Sequence, residues 1–350
     1  MIFYKDEKYN FFEIFNEKNG WLFRSDINGK DPPMRSFPEL LDVGIMGHCV
    51  SSDYCTKAGI DCYQNGHSID SPHMKYEDFL SIVEQSSGKV FQIALGGAGD
   101  PNKHPQFGEI LKTCRDFGIV PNITTSGFDL SIDEIDLIKK YCGAVAVSWY
   151  SRLRKGKESN PKTVSALETL IKENCTVNIH YVVSNDTIDE AIYRMENNLF
   201  PRGINAVIFL LYKPVGLGVE EKTIKLSNKH LETFLSIATE REHPFRIGFD
   251  TCFTPAILSF SNCVEPVSID NCEAATFSMY IDSQMNCYPC SFGIWDNSFS
   301  ESLNDKKIRE IWLGKTFTSF RSREKEKCLN CGKFSYCKGG CKLGISIDLC

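Results

Sequence analysis

Apolar and polar positions follow two alternating patterns along the first 250 residues of the chain. Short apolar runs of the kind found in buried strands occupy residues 40–46, 90–95, 119–124, 144–149, 176–183 and 205–211. Segments with apolar residues at helical spacing separate these runs; Phe79, Ile82 and Val83 form one example. Strands that alternate with helices predict βαβ units and a parallel sheet.

The number of these units narrows the fold class. Six units are too few for a closed eight-stranded barrel, so the sequence predicts an α/β fold with a partial (β/α)6 barrel over residues 39–248. An open doubly wound sheet is the alternative, and both would carry the functional site at the carboxyl ends of the strands. Residues 1–38 are an aromatic-rich segment of unknown role. Residues 249–350 lose the alternation and predict a small, metal-stabilised, cysteine-rich domain.

Cysteine is the outlying residue type in the composition, with 16 Cys among 350 residues. A disulfide framework is typical of small secreted domains, whereas this chain is long and shows no signal peptide. Thiolates in a reducing cytosol serve as ligands of soft metals or iron–sulfur clusters. The composition therefore favours metal or cluster binding and a cytoplasmic location.

Charge and hydropathy argue against two classes of partner. The formal net charge is −6, which provides no basic surplus for a nucleic-acid backbone. No apolar run approaches the roughly 20 residues that a membrane span needs. We therefore expect neither a nucleic-acid nor a membrane partner.

Three cysteines, Cys49, Cys55 and Cys62, follow the first predicted strand with the spacing CX5CX6C. This loop lies where a barrel places its chemistry. Three thiolates on one loop can hold three irons of a [4Fe–4S] cluster and leave the fourth iron open. Three unmetallated thiols, or a zinc site completed by His48 or His67, are the alternatives.

A denser group of cysteines lies near the end of the sequence. Residues 328–341 have the spacing CX2CX5CX3C, and Cys350 follows nine residues later. Cys272, Cys287 and Cys290 lie upstream. A pair of zinc knuckles would use the same sets of four thiolates, so the spacing alone predicts metal sites without distinguishing zinc from iron–sulfur clusters.

The two patterns together resemble radical S-adenosylmethionine (SAM) enzymes with a C-terminal SPASM domain, which holds two auxiliary [4Fe–4S] clusters. Tyr63, directly after Cys62, is typical of the superfamily, although its usual cysteine spacing is CX3CX2C. The 328–341 element with its later Cys matches the SPASM pattern without gaps. Residues 280–290 resemble the domain's hairpin that ends in Pro-Cys, with Met285 in place of the usual Gly.

Polar segments after the later strands are similar to the SAM-contacting segments of the superfamily. The turn at residues 96–101 resembles the family's Gly-Gly-Glu-Pro turn, with Asp100 in the place of the Glu. Glycines allow close approach of a ligand to the backbone, and a carboxylate pairs with an ammonium. The resemblance implies SAM contacts from Gly96, Gly97, Asp100, Thr125, Ser126, Ser148, Asn178 and His180.

The resemblance also implies three sets of cluster ligands. The radical cluster would be held by Cys49, Cys55 and Cys62. One auxiliary cluster would be held by Cys328, Cys331, Cys337 and Cys350, and the other by Cys252, Cys272, Cys290 and Cys341. Cys263 and Cys287 are alternatives to Cys252 as the fourth ligand. Cys114, Cys142 and Cys175 lie in or beside helical segments and are predicted core thiols.

The activity implied by the resemblance is reductive cleavage of SAM to a 5′-deoxyadenosyl radical that abstracts hydrogen from a substrate. Relatives with a SPASM domain mostly modify peptides or proteins by thioether or carbon crosslinks or by residue oxidation. We therefore expect a peptide-modifying oxidoreductase, with a peptide or protein substrate and an external electron donor of the flavodoxin or ferredoxin type. A radical SAM enzyme acting on a small molecule, and a non-catalytic zinc or iron–sulfur protein, are the alternatives.

Overall fold

A computed structural model describes residues 1–261, 263–265, 269–345, 347 and 349–350. The strands are β1 (Ile2–Asp6), β2 (Phe11–Phe15), β3 (Leu22–Asp26), β4 (Leu40–Met46), β5 (Gln92–Gly97), β6 (Val120–Thr125), β7 (Val145–Ser148), β8 (Leu153–Arg154), β9 (Lys157–Glu158), β10 (Val177–Val183), β11 (Ala206–Leu211), β12 (Arg246–Phe249), β13 (Ser278–Ile281), β14 (Asn286–Tyr288) and β15 (Glu301–Ser302). The α-helices are α1 (Ser52–Ala58), α2 (Tyr76–Ser86), α3 (Phe107–Asp116), α4 (Ile132–Tyr141), α5 (Pro161–Lys172), α6 (Ile188–Glu196), α7 (Lys229–Glu240), α8 (Thr254–Phe260), α9 (Ile308–Leu313), α10 (Lys315–Arg321) and α11 (Phe334–Cys337).

A ten-stranded sheet dominates the fold. Its order is β12-β11-β10-β7-β6-β5-β4-β13-β14-β15, and the strands from β12 to β13 pair in parallel. Six of them, β4, β5, β6, β7, β10 and β11, are the predicted strands, and they lie side by side in chain order. A doubly wound sheet would reverse this order at a switch point. The predicted partial (β/α)6 barrel is therefore confirmed, and β12 extends it beyond the six predicted units.

The two faces of the parallel strands differ in burial, as β10 shows. Val177 and Ile179 are almost fully buried in the main apolar core, whereas Asn178 and His180 between them are partly accessible. Successive side chains of a strand point to opposite faces. The core side is covered by apolar residues of α2 to α7, so the accessible face lines the interior of the partial barrel. We call this face the bore.

The cysteine-rich part of the chain is attached to one edge of the sheet. β13 pairs in parallel with β4, with Tyr280 opposite Asp42. Beyond β13, the sheet continues through antiparallel pairing of β13 with β14 and of β14 with β15. This pairing brings residues from beyond position 250 next to the strand that precedes the Cys49 loop.

The first 38 residues include a small antiparallel sheet, β1-β2-β3. Arg24 on β3 forms ion pairs with Glu39 at 3.2 Å and with Glu273 at 2.9 Å. Burial is the largest influence on Glu39 and raises its pKa to about 8 even though Arg24 opposes this shift. Arg24 therefore joins the N-terminal sheet, the start of β4 and the cysteine-rich part. No helix in the described part of the chain is long and apolar enough to cross a membrane.

Candidate metal and cofactor site

The loop that carries Cys49, Cys55 and Cys62 lies over the carboxyl ends of β4 and β5. The Cys49 N–H donates to the Gly66 carbonyl at 3.0 Å, which closes the loop at its base. A Cβ on Gly66 would lie 2.0 Å from the Ala98 carbonyl oxygen. Only glycine therefore allows this loop to pack directly against the turn that follows β5.

The far end of the same loop contacts the segment after β11. The Leu217 N–H donates to the Cys62 carbonyl at 3.1 Å. Asp61 accepts from the Tyr212 hydroxyl at 2.8 Å and pairs with Lys222 at 2.6 Å. A hollow of about 100 Å³ lies between this end of the loop and the strand ends of β7 and β10, and Tyr150 and Asp61 are part of its lining. The loop thus spans the mouth of the bore.

The three thiols of this loop influence one another electrostatically. Burial, followed by the nearby Cys49 and Cys62, raises the pKa of Cys55 to about 12. Burial likewise raises the pKa of Cys49, with further contributions from Asp100 and Cys62. Negative charge on one of these thiols is disfavoured by the others, and a bound cationic metal centre removes that penalty. The structure therefore brings together the three cysteines that the sequence predicted as one ligand set.

Asp100 links the ends of β5 and β6 directly beside these thiols. Its carboxylate accepts from the Ser126 N–H at 2.8 Å and from the Ser126 hydroxyl. Burial is the largest influence on Asp100 and raises its pKa, while Ser126, Lys103 and Thr125 oppose the shift. Thr125 is buried and donates from its hydroxyl to Asn102 at 3.0 Å. Asp100, Thr125 and Ser126 thus form one hydrogen-bonded corner of the mouth.

The two predicted glycines have different surroundings. Gly97 has a φ of +120°, and a Cβ there would lie 2.5 Å from the Met46 carbonyl oxygen, so the backbone conformation and the contact both require glycine. A Cβ on Gly96 would meet nothing within 4 Å. The backbone at Gly96 therefore faces open space in the bore, where a ligand can approach it closely.

Ser148, Asn178 and His180 line the bore on β7 and β10. His180 pairs in register with Ser148, and Asn178 pairs with Ala146, one step nearer the amino ends of the strands. Burial lowers the pKa of His180 to about 4, so its ring is neutral at physiological pH. Asn178 accepts a hydrogen bond from Asn205 at 2.8 Å. Ser148 and His180 therefore lie nearer the cysteine loop than Asn178 does.

Four thiols from separate segments meet beyond the end of β11, and we call them the first C-terminal thiol group. Its members are Cys252, Cys272, Cys290 and Cys341. Burial raises the pKa of Cys252, and Cys341 and Cys272 add to this shift. Burial also raises the pKa of Cys290, again with contributions from Cys272 and Cys341. Cys287 is buried in β14, and burial, followed by Asp282 and Glu301, raises its pKa. Because no thiol of this group is among those influences, Cys252 is favoured over Cys287 as the fourth thiol of the group.

The second C-terminal thiol group comprises Cys328, Cys331, Cys337 and Cys350. A hydrogen bond with Cys350 is the largest cause of a lowered Cys337 pKa of about 7, and Cys328 acts in the opposite direction. The Cys331 N–H donates to the Cys328 carbonyl at 3.1 Å. Cys328 and Cys337 are buried, whereas Cys331 and Cys350 are exposed. One side of this group therefore faces the protein surface.

None of the three groups forms a closed coordination shell. Within the described residues, no set of three or more His, Cys, Asp or Glu side chains is arranged closely enough to hold a metal ion. This finding concerns a single bound ion, because the thiolates of a [4Fe–4S] cluster bind different irons and lie farther apart than the ligands of one ion. Cys55 lies in α1 and Cys337 ends α11, whereas Cys49 and Cys62 lie in loop segments.

An ion pair and a single carboxyl group near these sites were not predicted from the sequence. Lys213, just after β11, is buried and pairs with Asp250, just after β12, at 2.6 Å. Burial by itself would lower the pKa of Lys213. The negative charges of Asp250, Cys252 and Cys341 have a larger combined effect, so the pKa of Lys213 is raised. The signal in the sequence was weak, since each is a single charged residue following an apolar strand.

Asp42 is a second unpredicted group, and it lies on the bore side of β4. Burial raises its pKa to about 7. Tyr63 and Tyr280 lie near enough for the Asp42 charge to raise their pKa values as well. An Asp inside the otherwise apolar run 40–46 was the signal that could have identified this position.

Comparisons with known proteins agree with this arrangement. Residues 272–332 match the family SPASM, described as an iron–sulfur cluster-binding domain. The structure of Streptococcus suis SuiB bound to S-adenosylmethionine aligns with a TM-score of 0.67 and 19% identity, over 88% of this chain and 74% of that chain. The complex of S. suis SuiB with precursor peptide SuiA gives a TM-score of 0.68, 19% identity and coverages of 88% and 72%.

A third similar structure is native anSMEcpe with bound AdoMet and Cp18Cys peptide, at a TM-score of 0.60 and 17% identity over 86% of this chain and 89% of that chain. No curated protein sequence matches the chain. At these identities the structural likeness shows the fold, and the family match shows the domain at residues 272–332. The chain therefore has the fold of radical SAM enzymes and carries a SPASM domain in its cysteine-rich part.

Proposed function

We propose that the chain is a radical SAM enzyme that modifies a peptide or protein. The observation that carries the proposal is that Cys49, Cys55 and Cys62 lie at the mouth of the bore, near enough to Asp100 and to one another to affect the pKa of Cys49 and Cys55. These thiols would hold a [4Fe–4S] cluster, and the chemistry that such a cluster would supply is reductive cleavage of SAM for removal of a hydrogen atom from the substrate. Cys49, Cys55 and Cys62 would hold three irons of such a cluster and would leave the fourth iron available to SAM.

The residues around this loop would position SAM. Asp100 offers a carboxylate for the SAM ammonium group, and Ser126 holds that carboxylate in place through two hydrogen bonds. The open backbone at Gly96 permits close approach of the ligand. Ser148 and neutral His180 line the adjacent wall of the bore and would contact the ligand's polar groups.

The C-terminal thiol groups would hold two auxiliary clusters. The thiols of the first group, with Cys252 as the fourth, are all partly accessible, and the second group reaches the surface through Cys331 and Cys350. Four thiolates per group suit a [4Fe–4S] cluster. The SPASM match over residues 272–332 supports iron–sulfur binding in this part of the chain rather than zinc.

Support for a peptide substrate comes from the similar structures. SuiB binds the precursor peptide SuiA, and anSMEcpe binds a Cp18Cys peptide. The bore of the present chain is lined by accessible polar residues on several strands, including Asp42, Ser148 and His180. An extended peptide segment entering this bore would meet hydrogen-bonding groups on opposite walls.

Anaerobic reconstitution with iron and sulfide tests the proposal. About twelve irons per chain are expected from three [4Fe–4S] clusters, and reduction with dithionite should release 5′-deoxyadenosine and methionine from SAM. Stoichiometric zinc with no SAM cleavage would instead establish the non-catalytic zinc protein.

The substrate class is tested separately. Candidate peptides are incubated with the reduced enzyme and SAM, and mass spectrometry follows the loss of hydrogen or the formation of a crosslink. Deuterium transfer from a labelled peptide into 5′-deoxyadenosine identifies the peptide as the hydrogen donor. Transfer only from a small molecule, with every peptide unchanged, would favour the small-molecule alternative.

A further inference from the structure

One carboxyl group in the bore has no polar partner. Asp42 lies on the bore side of β4 and is partly accessible. Among the described residues, none forms a hydrogen bond or an ion pair with this carboxyl group, and no cation opposes the effect of burial on its pKa. An unpaired carboxylate withdrawn from water is costly. A bound group that carries a positive charge would therefore be stabilised beside it.

The amide side chains of the neighbouring strands are already paired with one another. Asn122 on β6 donates to the Gln92 side chain on β5 at 2.8 Å. Asn178 on β10 accepts from the Asn205 side chain at 2.8 Å. These amides have partners within the protein, whereas the Asp42 carboxylate is available to a ligand.

Two tyrosines lie beside this carboxylate. Tyr280 is opposite Asp42 in the pairing of β13 with β4. Its hydroxyl lies over Gly44, the next residue on the same face of β4, since a Cβ on Gly44 would be 2.3 Å from that oxygen. Tyr63 is 37% exposed and near enough for the Asp42 charge to raise its pKa. Aromatic rings next to a carboxylate suit an organic cation, because the ring faces attract positive charge.

We propose that Asp42, with Tyr63 and Tyr280 beside it, forms a cation subsite in the bore that binds a basic side chain, lysine or arginine, of the substrate peptide. The inference rests on the proposed function and names a feature of its substrate. Asp42 lies four residues before Met46, the end of β4, which is roughly 13 Å along a strand. The basic side chain would therefore be bound deeper in the bore than SAM, whose ammonium group would pair with Asp100 at the mouth.

A metal ion suits this position less well than an organic cation. Ca²⁺ and Mg²⁺ take about six or more oxygen ligands, and the described residues contain no group of three or more acidic, His or Cys side chains that could hold an ion. An ammonium or guanidinium group needs a single carboxylate, and its other N–H groups can donate to phenol oxygens. The chemistry of the corner thus favours a basic side chain.

The test uses the reconstituted full chain with SAM and two matched pairs of pentapeptide probes. Each probe is acetylated and amidated, with glycine on both sides of one central residue, so that this residue carries any charge. The pairs are lysine with norleucine and arginine with citrulline, which are basic and neutral side chains of similar size. Calorimetry measures their affinities for the parent, for Asp42→Asn and for the control Asp305→Asn at an exposed position before α9.

The parent should bind at least one basic probe about tenfold more tightly than its neutral counterpart, as expected for a charge-assisted hydrogen bond. Asp42→Asn should bind the two members of that pair equally, and Asp305→Asn should keep the preference of the parent. Equal affinities for both pairs in the parent, or a preference that survives in Asp42→Asn, would overturn the proposal.

A second measurement on the parent alone does not depend on the folding of a variant. Carbodiimide couples glycine ethyl ester to accessible carboxyl groups, and mass spectrometry locates the products. The basic probe should protect Asp42 while its neutral counterpart does not, and neither should change the labelling of Asp305. The proposal fails if Asp42 is labelled equally with and without the basic probe, or if it resists labelling when no probe is present.

Two further outcomes separate the source of the cation and the proposed function from the subsite. Butylamine that binds as tightly as the lysine pentapeptide would indicate a site for a small amine and overturn the assignment to a peptide. Neither binding nor labelling requires SAM cleavage. If dithionite releases no 5′-deoxyadenosine, the proposed function fails, while the probe affinities still decide whether Asp42 binds a basic side chain.

Discussion

The ammonium nitrogen of Lys213 lies 2.6 Å from Oδ2 of Asp250, and this buried pair is adjacent to the thiols of Cys252 and Cys341. The pair connects the end of β11 with the segment that begins the cysteine-rich part. Lys213 also donates to the Leu211 carbonyl at 2.9 Å and lies over the ring of Phe292. A single positive charge is thus enclosed by one carboxylate and a group of predicted cluster ligands.

Replacing this lysine should destabilise the protein. Lys213→Met leaves the partly accessible Asp250 carboxylate without its ammonium partner, and the expected loss is about 1.5–3 kcal/mol of unfolding free energy. Asp250→Asn in the Lys213→Met background should recover much of that loss, because the remaining charge is removed while the acceptor for the Leu211 N–H is kept. Urea unfolding of the chain without clusters measures both. Unchanged stability in Lys213→Met would contradict the ion pair's structural role.

The cysteine loop at the mouth of the bore should account for one cluster. The triple variant Cys49→Ala/Cys55→Ala/Cys62→Ala should lower iron from about twelve to about eight per chain and abolish SAM cleavage. Cys114→Ala serves as the control, because Cys114 is buried in α3 among apolar side chains and should retain all its iron. Full iron content in the triple variant would rule out these residues as ligands.

The second C-terminal thiol group should depend on Cys350. Cys350→Ala should remove about four irons per chain, since Cys350 supplies one of four thiolates. Cys263→Ala, which removes another exposed thiol of the cysteine-rich part, should leave the iron content unchanged. Iron analysis and electron paramagnetic resonance of the reduced proteins measure the outcome. Loss of iron from the Cys263 variant would show that Cys263 is a ligand.

Asp42 should make stability depend on pH. Burial raises its pKa from the ordinary 3.8 to about 7, so its ionisation opposes folding. This cost is absent below about pH 4, grows as the pH rises to about 7 and is constant above that. Asp42→Asn removes the cost and should stabilise the protein by about 1–3 kcal/mol at pH 8 and by about a quarter of that amount at pH 4.5.

Urea unfolding at the two pH values measures this difference. Asp305→Asn, at an exposed position before α9, should give no comparable gain at pH 8. A stabilisation by Asp42→Asn that is equal at both pH values would show that the gain does not come from the carboxyl charge.

The sequence predicted the position of a strand wherever one face of that strand is buried in the apolar core. The runs at 40–46 and 205–211 are continuous and apolar, as parallel strands covered by helices are, and both became strands. β12 was missed because Arg246–Phe249 is short and follows His243 and Pro244 without an extended apolar run. The strands β1 to β3 were missed because they pair only locally in a segment whose aromatic residues lack a clear period.

The sequence by itself determined the secondary elements of the barrel and the thiols available for metal binding, since apolar periodicity and cysteine spacing are local properties. Tertiary structure decided which distant groups meet. Cys252 lies near Cys341, and Lys213 lies near Asp250 and those thiols, only because β11, β12 and the cysteine-rich part pack together. Such proximity depends on the packing of whole elements, and no spacing along the chain encodes it.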